Sequence, residues 1–270
     1  MRPFEVNSYI GRTQDIGLIK QNQDSKPLMQ QHTIAQNFEK HVDDRMEQVN
    51  HKENSEFEKP FDDWFISTMD KTATHLCKEI QNCVCAFVQS DEISLILKDN
   101  TLTCSPYDGR LCKLQSVIPS MATAFFNKEI IKRNLIAGMS IEDITYMPDY
   151  CFDCKVWSVP SANDAMAWML YRQIDCIRNS KQQFAQTYVP HKSLVGKDTD
   201  RQIKLCMETT GQDWNAISDN KKYGRLFYKT SVDKITPDGI EYTRHEWVAK
   251  SEQLTNEDVR EQFINYLNIT

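Results

Sequence analysis

The stretch Cys83–Leu97, CVCAFVQSDEISLIL, constrains the fold of this chain more than any other. Two apolar runs, Cys83–Val88 and Ile93–Leu97, flank the polar residues Gln89-Ser90-Asp91-Glu92. Each run is about as long as a strand and rich in β-branched or aromatic residues, which predicts a buried hairpin with two acids at its tip. Acids on a strand–turn–strand suit Mg2+, because hard cations take carboxylate oxygens fixed by rigid backbone. The same residues also read as an ordinary solvated turn, and on spacing alone that is the commoner use of a polar hairpin tip.

A chain of 270 residues is one large domain or two small ones. With 40% apolar residues, 12 Phe, 10 Tyr and 5 Trp it can bury a sizeable core, and only 8 Gly and 9 Pro exclude a fibrous or wholly disordered class. A net charge of −6 argues against a generic polyanion binder but leaves room for a local basic groove. No apolar run approaches membrane-spanning length, so no membrane partner is expected. The start, MRPFEVNSYIGRTQ, has no apolar signal region, so the expected location is the cytosol, with an organelle left open. The nine Cys are odd in number and lack framework spacing, which predicts reduced thiols. Cys151-x-x-Cys154 has no second ligand pair for zinc and reads as free thiols.

Along the chain, residues 1–40 are rich in Gln and Asn and read as a flexible polar extension with little core. A main domain is expected over 41–230, followed by a C-terminal strand and helix over 231–270. Asp62 to Ile80 predicts an amphipathic helix, with Phe65, Met69, Leu76 and Ile80 near one face. A second helix is predicted from Leu111 to Lys128, kinked or broken at Pro119. Phe152–Val159 alternates like a strand, and Ser161 or Asn163 caps a helix running to about Gln183. In that helix Arg172, Gln173, Asp175, Arg178 and Asn179 share a face, which by itself reads as a solvated, salt-bridged surface. The most basic stretches, 191–204 and 221–229, read as solvated surface or as phosphate contacts. Late strands are expected at Arg225–Tyr228 and Glu241–Val248, then a helix with Val259, Phe263 and Leu267 on one face. This order predicts an α+β fold, a ferredoxin-like, polymerase-palm-like antiparallel sheet with helices on one face.

Taken together, these segments resemble the tRNA-His guanylyltransferases and their reverse-direction (3′-to-5′) polymerase relatives. The residues that carry the resemblance run in order from Phe57 to Lys229. They begin with Phe57-Glu58-Lys59-Pro60-Phe61-Asp62, then Gln89-Ser90-Asp91-Glu92, then Tyr107-Asp108-Gly109-Arg110 with Lys113, Ser116 and Ser120-Met121-Ala122-Thr123-Ala124. Phe152-Asp153-Cys154-Lys155-Val156 follows, then Tyr171-Arg172-Gln173 with Asp175 and Arg178-Asn179, then His191-Lys192, Leu194, Gly196-Lys197 and Trp214-Asn215. The style is closer to the bacterial, phage and archaeal-like branch. The resemblance implies ATP activation of a tRNA 5′-monophosphate, attack by the 3′-hydroxyl of GTP or another nucleoside triphosphate, and Mg2+ as cofactor. It implies Asp91 as metal ligand and catalytic residue, Glu92 as a second catalytic acid, and Ser90 as a nucleotide contact. It implies Lys59, Asp62, Arg110 and Lys113 as triphosphate contacts and Asn179 as a further polar residue near the nucleotides. Arg172, Gln173 and Asp175 match a helix motif whose role is expected to be mainly architectural. His191, Lys192, Lys197 and Lys222 are the implied tRNA or phosphate contacts, and a homo-oligomer, a tetramer in the family, is the implied assembly.

One part of the pattern is missing. The family carries a strand ending in Asp-Gly before its Lys-Pro-x-Asp segment, and that Asp is the other metal ligand. Here DDRMEQVNHKENSE precedes Phe57, with no apolar run and no Asp-Gly. The sequence therefore predicts a palm short of one central strand, with neighbouring strand edges exposed. Asp43 or Asp44 are the nearest substitute acids, in a helical rather than strand context. Three readings stay open: an active nucleotidyltransferase, a family member that binds tRNA or partner subunits without catalysis, and a sequence lacking one segment of an active enzyme.

Overall fold

The computed structural model describes residues 57–98, 106–147, 149–236 and 238–269, and the backbone of Leu28–Ile34. The strands are β1 (Leu28–Ile34), β2 (Cys83–Gln89), β3 (Glu92–Lys98), β4 (Asp153–Val159), β5 (Arg225–Ile235) and β6 (Glu241–Lys250). The helices are α1 (Asp63–Glu79), α2 (Leu111–Ile136), α3 (Ile141–Thr145), α4 (Ala162–Tyr188), α5 (His191–Leu194), α6 (Thr199–Thr210), α7 (Asp219–Tyr223) and α8 (Glu257–Ile269). They form one sheet in the order β4-β1-β3-β2-β5-β6, with every neighbouring pair antiparallel. The first four strands of that order are the ferredoxin-like, palm-type arrangement, and β5 and β6 extend it on the β2 side.

The predicted hairpin is the centre of the sheet. Every residue of β2 is buried, and every residue of β3 except Lys98. Such unbroken apolar runs belong to strands covered on both faces, where alternation would leave one face wet. Ala86, Val88, Ile93, Leu95 and Leu97 face Met69, Leu76, Ile118 and Phe126 of α1 and α2. Cys85, Phe87 and Ile96 face Met166 and Met169 of α4 and Phe263 and Leu267 of α8. Each fully buried Leu, Ile, Met or Phe contributes roughly 1.5–3 kcal/mol by removal from water. The expectation of helices on one face is thus corrected: α4 and α8 cover the second face, because each brings its own apolar stripe.

The ends of the main helices are set by capping. Asp62 accepts the Phe65 N–H at 2.6 Å at the start of α1, and Ser161 accepts the Asp164 N–H at 3.2 Å at the start of α4. α2 runs unbroken through the buried Pro119. A third apolar cluster, built from Phe184, Val189, Leu194, Ile203, Cys206 and Trp214, lies at the C-terminal end of α4 and packs α5 and α6 there.

The position expected to be vacant in the palm is filled. β1 lies between β3 and β4, pairing Leu28–Ile34 with Glu92–Lys98 on one side and with Asp153–Val159 on the other. This corrects the expectation that residues 1–40 contribute only an extension and that the flanking edges stay open. Two strand edges each offering unpaired backbone groups outweigh the weak local propensity of LMQQHTI. The chemistry of the missing strand is not restored, since these residues contain no acid. The weakly helical stretch from Phe38 to Asn50, with Asp43 and Asp44, lies outside the described residues.

Candidate functional site at the hairpin tip

The turn between β2 and β3 is two residues long, Ser90 and Asp91, with Gln89 paired to Glu92 across its base. Ser90 is exposed and adopts φ 43°, a left-handed conformation that glycine takes more easily. Asp91 is half-buried. β1 ends and β4 begins at the same end of the sheet: Ile34 lies opposite both Glu92 and Asp153. Asp153 is exposed and shares that row, two strand spacings from Glu92, or about 9–10 Å.

Glu92 stands apart from Asp91. Alternation along β3 puts it on the α4 side with Ile96, and it is buried. Arg172 of α4 donates from Nε to Glu92 Oε1 at 2.6 Å and from Nη2 to Oε2, a two-pronged ion pair. The same Nη2 lies 3.2 Å from Asp175, which also pairs with Arg178. Burial pushes the Glu92 carboxyl above its usual range, and Arg172 draws it back only in part.

The residues expected to hold phosphate fall into two groups. Exposed Lys59 and buried Asp62 precede α1. The Asp62 carboxylate is engaged by the backbone, accepting from Glu58 N at 3.0 Å as well as from Phe65 N. Arg110 and Lys113, both exposed, open α2. The Thr123 hydroxyl accepts the Phe152 N–H at 2.9 Å, and Asn127 bonds Tyr150, so the middle of α2 stands where β4 begins. The first turn of α2, with Arg110 just ahead of it, lies roughly 15–20 Å along the helix axis from Thr123.

Asn179 is exposed on α4 and donates to Asp175 at 3.4 Å. His191, Lys192 and Lys197 are exposed around α5, where Lys197 donates to Ser193 O at 2.7 Å. Lys222 departs from the expected surface contact. It is buried, donates to Asn215 O at 3.1 Å, pairs with Asp219 at 3.0 Å and sits 5.7 Å from the Trp214 ring centre. Its ammonium holds α7 to the Trp214 loop and is not presented to a phosphate.

Gln173 and Arg172 belong to the helix motif expected to be mainly architectural, and the structure adds the contacts they make; the Arg225–Asp70 pair has no counterpart in the sequence reading. Gln173 is buried and pins three backbone groups, donating to Tyr223 O at 3.0 Å and Glu252 O at 2.8 Å and accepting from Leu254 N at 2.7 Å. Arg225, the first residue of β5, is buried against Asp70 at 2.7 Å. Arg172 lies beside the buried positions Met169, Gln173 and Cys176, a pattern visible in the sequence that sets the arginine against the sheet.

Two-metal chemistry needs carboxylate oxygens converging from more than one strand. Among the described residues no group of three His, Cys, Asp or Glu side chains comes together, and both oxygens of Glu92 face a guanidinium. The described residues therefore do not form a two-metal cage. No helix among them is long and apolar enough to cross a membrane.

Comparison with known proteins agrees with this architecture. Residues 31–160 match the family model described as Thg1, tRNAHis guanylyltransferase. A curated relative, tRNA(His) guanylyltransferase 1 of Arabidopsis thaliana, is 26% identical over 191 residues, covering 66% of this chain and 31% of that protein. The chain spans less than half the length of this relative and of those from Dictyostelium discoideum and Drosophila melanogaster. A solved bacterial tRNA(His) guanylyltransferase (Thg1)-like protein in complex with ATP superposes with a TM-score of 0.68 at 22% identity, covering 96% of this chain and 98% of that one. A bacterial Thg1-like protein in complex with GTP gives 0.64 at 21% identity, with the same coverage. These structures share the fold, and the sequence match rests on the domain that carries the hairpin and its flanking strands. Over residues 31–160 the chain is thus similar to the Thg1-type tRNA(His) guanylyltransferases.

Proposed function

We propose that this chain is a tRNA-His guanylyltransferase-type nucleotidyltransferase. It joins GTP or another nucleoside triphosphate to a tRNA 5′ end activated by ATP. The observation that carries this reading is the placement of Ser90 and Asp91. A hairpin buried on both faces holds them rigidly at one end of a palm-type sheet, and Phe57, two residues before Lys59, packs 6.5 Å from Tyr150 ahead of β4 at that same end. Family relatives solved with ATP and with GTP support nucleotides as ligands of this fold. In this reading Ser90 and Asp91 face the nucleotide, Lys59 offers a point charge to its phosphates, and the exposed His191, Lys192 and Lys197 meet the tRNA backbone. Mg2+ is the ion such chemistry takes. Asp91 is the tip acid to hold it.

A second reading, a non-catalytic member that binds tRNA or a partner subunit, is favoured by one observation. The second tip acid, Glu92, is committed to Arg172. Binding and transfer separate the two. The full chain is titrated with GTP and with 5′-monophosphorylated tRNA, alongside Asp91→Ala and Lys192→Ala. The proposed function expects GTP binding that weakens at least tenfold in Asp91→Ala and tRNA binding that weakens in Lys192→Ala. tRNA binding with no GTP binding selects the second reading.

A further inference from the structure

We infer that Arg172 is a positioning residue, which occupies the Glu92 carboxylate from inside the fold and thereby fixes the Ser90-Asp91 turn. This rests on the reading of the tip as the nucleotide-facing end. By family resemblance Glu92 is an acid of the reaction. In this chain it points away from the tip toward α4, is 7% exposed, and shares its face with Ser94 and Ile96. Its two oxygens meet two different nitrogens of Arg172, and Ser94 Oγ also donates to Oε1 at 3.4 Å.

The guanidinium is itself fixed. It is flanked by Asp175 one helical turn on, and α4 is anchored next door by the three hydrogen bonds of Gln173. A planar fork held this way has one orientation, so the acid it grips has one as well. Glu92 is the residue paired with Gln89 at the base of a two-residue turn. Fixing its side chain fixes one leg of that turn, while buried Gln89 holds the other. The consequence is a division of labour between adjacent acids. Asp91 remains at the tip, and Glu92 is the internal counter-ion of Arg172 rather than a ligand for substrate or metal.

The test uses the full chain with Glu92→Gln, Arg172→Gln, Arg172→Lys and the double Glu92→Gln/Arg172→Gln variant. Urea unfolding reads coupling, because removing the arginine alone leaves a buried carboxylate without its partner. Arg172→Gln is expected to lower the folding equilibrium constant roughly a hundredfold, and adding Glu92→Gln to recover at least tenfold. Losses that simply multiply overturn the pairing. Hydrogen exchange at the Ser90 and Asp91 amides, compared with the amides of α8, reads positioning. Arg172→Gln and Arg172→Lys are both expected to speed exchange at the turn at least tenfold with α8 unchanged, since lysine restores charge but not the fork. Unchanged exchange at the turn overturns the positioning role.

A GTP titration separates this inference from the function it rests on. Glu92→Gln and Arg172→Gln are expected to weaken GTP binding by factors within threefold of each other, since either change opens the same pair. A loss in Glu92→Gln at least tenfold greater than in Arg172→Gln shows Glu92 acting at the nucleotide and overturns the inference. A natural protein that binds no GTP overturns the nucleotide reading of the tip and, with it, the division of labour between the two acids.

Discussion

Tyr266 of α8 donates its hydroxyl to the Val84 carbonyl of β2 at 2.9 Å, and the same oxygen accepts the Lys229 N–H of β5 at 3.1 Å. One phenol therefore joins the last helix to two strands. Tyr266→Phe is expected to cost about 1 kcal/mol through the lost hydrogen bonds. Burial pushes the Tyr266 phenol up to about 12, against about 10 in an unfolded chain. A raised pKa means that the folded state keeps the proton longer. The contribution is fully present below pH 10 and is lost as pH rises toward 12. Urea unfolding at pH 8 and pH 11 checks this: the gap between the natural protein and Tyr266→Phe should be smaller at pH 11.

Gly224 precedes β5 at φ 74°, and a Cβ there would stand 2.7 Å from the Phe87 ring and 2.8 Å from the Val88 carbonyl. Both contacts are too short for any side chain, and one is backbone that has little room to move. Gly224→Ala is expected to destabilise by about 2–4 kcal/mol, from overpacking and left-handed strain together. A thermal melt should show a drop of several degrees. An unchanged melting temperature would contradict the close packing of this turn on the hairpin.

Ser90 is a non-glycine residue in a glycine-like conformation at the proposed site. Strain of this kind is typically about 1–3 kcal/mol. Ser90→Gly is expected to raise stability by about 1 kcal/mol while weakening GTP binding. Stability and affinity that rise together would mean that the serine hydroxyl has no part in recognition.

Gln173 satisfies three backbone groups from a fully buried position. Gln173→Leu keeps the bulk and leaves those groups unpaired, so it is expected to cost about 3 kcal/mol or more. Hydrogen exchange should localise the loosening to Tyr223 and to the 252–254 segment before α8.

The parts of this molecule that were legible in the sequence are those written locally. The runs CVCAFV and ISLIL carry their burial in composition, and Asp62 and Ser161 announce helix starts by residue type. The parts that were not legible depend on what lies across the sheet. LMQQHTI has no strand signal of its own and pairs because β3 and β4 offer it two edges. Glu92 and Asp91 are neighbours in a polar turn, yet strand alternation sends one toward the half-buried Arg172, 80 residues away in sequence. Lys222 sits in a basic run, but Trp214, Asn215 and Asp219 enclose it. Residue type indicated the chemistry available, and the fold decided which groups can reach it.

The most direct test of the account is 5′-end addition by the full chain. The natural protein and Asp91→Ala are given 5′-monophosphorylated tRNA, ATP, Mg2+ and labelled GTP. Label is expected to join the tRNA with the natural protein and to fall at least a hundredfold in Asp91→Ala. No addition by the natural protein, with tRNA still retained in a gel shift, would contradict the proposed activity and leave a tRNA-binding protein.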